Sequence, residues 1–261
     1  MDTDFAAATL NSLHLRAQTR LLAVCASSAD WDLLTSLGFS NVTVSNLDMA
    51  FEDMVPQGHW SYQDVQALSF DDASFDWVFV SEGLHHCRSP HRGLLEMYRV
   101  CRLGIVAIES RDSTLMRLAV AMGLAQRYEL AAVISQGFGS GGLDNTSVPN
   151  HVYRWTEAEV LKTLRSYDPT GEPQVEFRYG LRMPAALTSS TTTNSTLRGV
   201  AQGITQGVAR GVARGITTVC KRQANQLAII ARRPTALYPW LAHHQNQVRF
   251  NPNYQNPKPH N

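Results

Sequence analysis

Residues 75–81 read Phe75-Asp-Trp-Val-Phe-Val-Ser81, an apolar run closed by a serine. Aromatic and β-branched side chains dominate it, and its length suits a strand better than a helix. A strand that is apolar on both faces belongs inside a sheet covered on both sides. Upstream, residues 21–25, Leu-Leu-Ala-Val-Cys, show the same pattern in shorter form. Residues 41–47 and 60–62 read as a second and third strand, and 103–109 as a fifth. Helices fall between them. One covers residues 31–37 and stops at Gly38, the residue type best suited to end a helix. Another opens at Pro90, where a missing N–H is tolerated, and runs to about residue 101.

Strands alternating with helices predict right-handed βαβ units and a doubly wound, Rossmann-like α/β fold. Ligands on such sheets bind beyond the carboxyl ends of the strands. The residues to inspect are therefore 25–28, Asp48, Asp64 and 81–86.

The second half is looser. Residues 115–134 read as helical, and 137–150 as a loop rich in glycine, serine and asparagine. Thr156 followed by Glu159 is a capping box that opens another helix. Two more strands are expected at 174–181 and 226–231. Between them lies a biased segment in which Val200, Ile204, Val208, Val212 and Ile216 recur every four residues. That stripe predicts a packing face. The small residues around it would let it close over a site or pack against a second copy of the chain, so a homodimer is among the arrangements it allows. From Tyr238 the chain is rich in Asn, Pro, Gln and His and is expected to wrap the surface or to lack order. The organisation predicted is one domain over residues 1–233, with an insertion at about 186–222, and a polar extension over 234–261.

Composition narrows the classes. The chain has 261 residues and 44% hydrophobic content, enough for a full core. Its net charge is +1, so no general pull toward nucleic acid or anionic lipid is expected. No run reaches the ~18 apolar residues of a membrane-spanning helix. Four scattered cysteines and an acidic start, Met1-Asp-Thr-Asp-Phe, point to a reduced, cytoplasmic setting.

The segment Asp64-Val-Gln-Ala-Leu-Ser-Phe-Asp-Asp-Ala-Ser-Phe-Asp-Trp-Val-Phe-Val-Ser-Glu-Gly-Leu-His-His86 resembles the class I methyltransferases that use S-adenosylmethionine. It is similar to that family's acid, "LPF", "D-x-SFD", buried strand and "LHH". The similarity continues through Pro90, His91, Arg92, Leu95, Glu96, Tyr98, Arg99 and Val100. It covers residues 20–110 well and extends weakly to about 233, and it looks like the branch acting on small molecules such as quinones and natural products. The resemblance implies a mostly parallel sheet of about seven strands, with helices on both faces. Its last two strands would pair antiparallel. It also implies S-adenosylmethionine as cofactor and a small-molecule acceptor.

The same resemblance assigns roles. Asp48, with Asn46 as the alternative in register, would accept the ribose hydroxyls. Asp64 would accept from the adenine amino group, and the Val65 N–H would face a ring nitrogen. Cys25, Ala26 and Ser27 would lie against the methionine part, and Ser81 and Glu82 beside the sulfonium. His86 and His85 are the catalytic candidates, because histidine takes a proton readily near neutral pH. His85, His86, Cys87 and His91 also form a compact set of possible metal ligands. The proline-started helix and the family pattern explain their spacing better, so no metal is assigned. Arg111 and Asp112 read as a solvated helix start.

One departure stands out. The family's first loop is usually of the form Gly-x-Gly-x-Gly, whereas here it is Cys25-Ala-Ser-Ser-Ala-Asp30. Those residues give up the φ freedom of glycine. A second reading follows from this: a non-catalytic relative that keeps the fold as a binding or assembly module. A nicotinamide-dependent oxidoreductase is set aside, because no Gly-x-Gly-x-x-Gly follows the first strand.

Overall fold

The computed structural model describes residues 2–182, 223–245 and 247–255. The stripe at 200–216 and the whole of the insertion expected at 186–222 lie outside them.

Seven strands form one sheet: β1 (Leu21–Ala23), β2 (Val42–Asn46), β3 (Trp60–Tyr62), β4 (Phe75–Ser81), β5 (Cys101–Ser110), β6 (Gln174–Gly180) and β7 (Gln226–Arg232). Their order is β3-β2-β1-β4-β5-β7-β6. The pairs from β3 to β5 are all parallel, whereas β7 runs antiparallel to both β5 and β6. The antiparallel strand is thus the last of this sheet in chain order but lies inside it, between β5 and β6. The reversal of winding falls at β1 and β4, and it opens the crevice where a ligand is expected.

β4 shows how the sheet divides the core. Trp77 and Phe79 point to one side, against Leu10 of α1 (Thr3–Asn11) and Leu33 and Leu34 of α2 (Ser28–Ser36). Val78 and Val80 point to the other, against Leu94, Met97 and Tyr98 of α3 (Pro90–Val100) and Leu164 of α6 (Glu157–Tyr167). The period-two alternation of a strand is what sends successive residues to opposite layers.

The helix boundaries follow their caps. Ser89 accepts from the Arg92 N–H with Pro90 in the first turn, and Thr156 and Glu159 form the reciprocal capping box. Helix α1, started by Asp2 accepting from the Phe5 N–H, was not anticipated. The helix expected over 115–134 is instead two short ones, α4 (Thr114–Ala121) and α5 (Leu130–Ser135). Gly123, in the left-handed region at φ 71°, breaks the pattern between them. The tail beyond residue 234 carries a hairpin, β8 (Leu241–His244) with β9 (Gln247–Phe250). It is anchored by Trp240 stacked on Tyr238 at 4.4 Å. Among the described residues no helix is long and apolar enough to cross a membrane.

Candidate active site

At the carboxyl ends of β1, β2 and β4 lies a cavity of about 260 Å³. Its floor and walls include Cys25, Ser27, Asn46, Asp48, Asp64, Val65, Glu82, Gly83, His86 and Cys87. Gly141, Gly142, Asp144 and Asn145 cover it from the 137–150 loop. Of the residues singled out from sequence, seven cofactor candidates and His86 meet here. Ala26 is buried beneath the wall, Ser81 lies at the end of β4 with its hydroxyl buried and unpartnered among the described residues, and His85 is buried behind the cavity.

The glycine-poor loop keeps the turn that glycine usually provides. Cys25 sits at φ 51°, a left-handed conformation that costs a non-glycine residue roughly 1–2 kcal/mol. The next turn is locked by Asp30, whose carboxylate accepts from both the Ser27 N–H and hydroxyl at 2.9 Å. Burial raises the Asp30 pKa, and the Ser27 bonds partly offset that rise. A side chain at residue 83 has no room: a Cβ there would stand 2.4 Å from the Cys25 Cβ. Gly83 therefore lets the β1 and β4 exits close on one another. A hydrogen bond with Cys87, then burial, push the Cys25 thiol well above its ordinary range, so it is an unreactive wall of the cavity.

The two aspartates end different elements. Asp48 Oδ1 accepts from the Ala50 N–H and starts a short 3₁₀ turn, Met49–Met54. Asn46 is committed at both ends of its amide, to the Ala26 carbonyl at 2.9 Å and the Asp48 N–H at 3.1 Å. Asp64 Oδ1 accepts from the Gln66 N–H at 2.8 Å and from its side chain. The Val65 N–H makes no hydrogen bond among the described residues. The chemistry of this set fits a nucleoside: two carboxylates for hydroxyl and amino donors, and one N–H for a ring nitrogen.

The covering loop is pinned rather than loose. Asp144 accepts from Gln66 Nε2 at 2.9 Å and from the Arg88 N–H and Nε at 3.1 Å. Glu82, at φ 54°, is paired with Arg182. One expectation changes. Arg111 is buried, paired with Glu157 at 2.8 Å and set over the Tyr179 ring, so it packs rather than starting a solvated helix. His91 turns away from the cavity to Glu159 at 2.8 Å and packs on Trp155.

Sequence reasoning missed two acids. Glu109, fully buried at the end of β5, accepts from the Gly83 and Leu84 N–H groups at 3.0 and 2.8 Å and meets His85 Nδ1 at 3.1 Å. Glu129, just before α5, meets His85 Nε2 at 3.1 Å and His86 Nε2 at 3.5 Å. Burial alone would lower the His85 pKa, but Glu109 and Glu129 outweigh it and push it up to about 10. The His85 hydrogen bond in turn pulls Glu129 down to about 2. His86 is lowered, by burial and by the neighbouring His85. A lone acid closing the apolar β5 run was a signal for Glu109. Nothing local marks Glu129, which the fold brings from 44 residues away.

Residues 23–108 match the family model described as a methyltransferase domain. Among curated proteins, the chain is 29% identical over 119 residues to a demethylmenaquinone methyltransferase of Staphylococcus haemolyticus, covering 41% of this chain and 49% of that protein. A namesake from Shouchella clausii is also 29% identical, over 122 residues, covering 41% of this chain and 52% of that one. The chain thus spans about half the length of the curated relatives it matches. An S-adenosylmethionine-dependent methyltransferase structure from Mesorhizobium loti superposes with a TM-score of 0.53 at 16% identity, over 88% of this chain and all of that one. One from Archaeoglobus fulgidus gives 0.51 at 14%, over 89% and 95%. The chain shares the fold of these two S-adenosylmethionine-dependent methyltransferase structures, and its residues 23–108 match the methyltransferase-domain model. The resemblance drawn from residues 64–86 holds within the matched segment.

Proposed function

We propose that the chain transfers a methyl group from S-adenosylmethionine to O, N or C of a small-molecule acceptor. One observation carries this reading: the cavity at the crevice of a methyltransferase domain gathers Asp48, Asp64, Val65, Cys25 and His86 on one surface. In this reading Asp48 takes the ribose hydroxyls through Oδ2, and Asn46 holds the strand exit. Asp64 and the Val65 N–H read the adenine edge. Cys25, Ala26 and Ser27 shape the space for the methionine part, with Ser81 and Glu82 toward the sulfonium. The methyl carbon leaves sulfur as it bonds to the acceptor, so positioning supplies most of the rate. Where the acceptor must lose a proton, it passes to His86 on the cavity wall, while His85 behind it, held between Glu109 and Glu129, positions that ring.

The alternative is a non-catalytic module with a degraded loop. The retained left-handed turn at Cys25 and the locked Ser27–Asp30 turn favour the working enzyme. The names of the curated relatives make a quinol the first acceptor class to try. The assay is transfer of labelled methyl from S-adenosylmethionine to a short-chain demethylmenaquinol, alongside phenol and amine panels. Labelled product dependent on the protein is expected. Cofactor binding with no transfer across all three classes would favour the binding module.

A further inference from the structure

We propose that His85, His86 and Glu129 form a binding site for one divalent transition-metal cation at the edge of the cavity. One ring nitrogen each of His85 and His86 and a Glu129 carboxylate oxygen all lie within 4.8 Å of one another. Glu129 Oε2 is 3.1 Å from His85 Nε2 and 3.5 Å from His86 Nε2. Ligands at ~2.0–2.1 Å around a tetrahedral zinc stand roughly 3.3 Å apart. The three groups therefore already sit near the edges of a coordination shell.

The groups that pair as ions in the metal-free chain are also of the types that ligate a metal. A carboxylate cannot donate, so in the metal-free chain both His85 nitrogens carry a proton, Nδ1 toward Glu109 and Nε2 toward Glu129, and a cation would bind by displacing the Nε2 proton. The Nδ1–Glu109 contact would keep Nε2 turned to the cation, in the carboxylate–histidine–metal arrangement. The backbone of Gly142 faces the His86 ring. Asn150 Nδ2 donates to the His85 carbonyl at 3.1 Å and reaches Glu129 at 3.4 Å, tying together the two segments that supply the ligands. Charge also balances: a dication offsets the two carboxylates, Glu109 and Glu129.

His2Glu is a catalytic ligand set that leaves a coordination position open. Because His86 lines the cavity, that position lies at the cavity wall. A hydroxyl oxygen bound there would lose its proton more easily. Only this last step rests on the methyl-transfer reading; the site itself does not.

The test is a titration of the full, untagged, chelator-treated chain with Co²⁺, followed in the visible d–d band and then displaced by Zn²⁺. One equivalent and an intense band of low-coordinate cobalt are expected. Glu129→Gln and His86→Gln should each weaken binding more than about 100-fold, since even outer partners are worth about 10–100-fold. Melting curves confirm that each variant is folded; His86, at the cavity surface, is the safer of the two. No saturable band, or binding unchanged in both variants, would overturn the site. Cobalt binding without S-adenosylmethionine binding would uphold the site and sink the methyl-transfer reading, and the converse result would do the reverse.

Discussion

Replacing Glu109 by alanine lowers the melting temperature by about 6–20 °C on the present account. Glu109 is fully buried and serves three partners, the Gly83 and Leu84 N–H groups and His85 Nδ1. Alanine leaves two buried backbone donors unsatisfied and a buried imidazole without one of its two carboxylates. Breaking a buried pair on one side typically costs about 3–5 kcal/mol, which at about 2–4 °C per kcal/mol gives the stated range. Glu109→Gln keeps an acceptor for the two N–H groups and should lose less. Scanning calorimetry measures both. A shift under about 2 °C for the alanine variant would mean that the turn after β4 holds itself in place without this acid.

The second large effect falls on binding. Asp64→Ala and Asp48→Ala should each weaken S-adenosylmethionine by about ten- to a hundredfold, the loss of a charged hydrogen bond of about 1.5–3 kcal/mol. Each aspartate also holds a local turn, through Gln66 and Ala50 respectively. Circular dichroism and melting curves separate that role from cofactor contact. If both variants are folded and bind as the parent does, the strand register assigned to the site is wrong.

The parallel half of the sheet was legible because each of its strands carries its own pattern. The apolar β4 run, the short β1 run and the Pro90 start state their structure locally. Local pattern also placed β6 and β7, but not that β7 would slot between β5 and β6, which depends on pairing over long range. The split of 115–134 into two helices was missed because small apolar residues fit a helical period whether or not Gly123 interrupts it. At the site, the residues on strand exits could be named in advance, since the exits themselves were visible. The loop that closes the cavity and the acid that meets both histidines come from residues 129–150, where composition gives no register. The missing glycines misled in a different way: the left-handed turn survives on Cys25, a residue type that gives no hint of it.

The central claim is that the cavity at the ends of β1, β2 and β4 holds S-adenosylmethionine. Isothermal calorimetry of the full chain with S-adenosylmethionine and with its demethylated product tests it directly. The account predicts saturable binding of one equivalent of each, lost in step with the Asp64→Ala substitution. No heat, and no thermal shift with either compound at millimolar concentration, would contradict it.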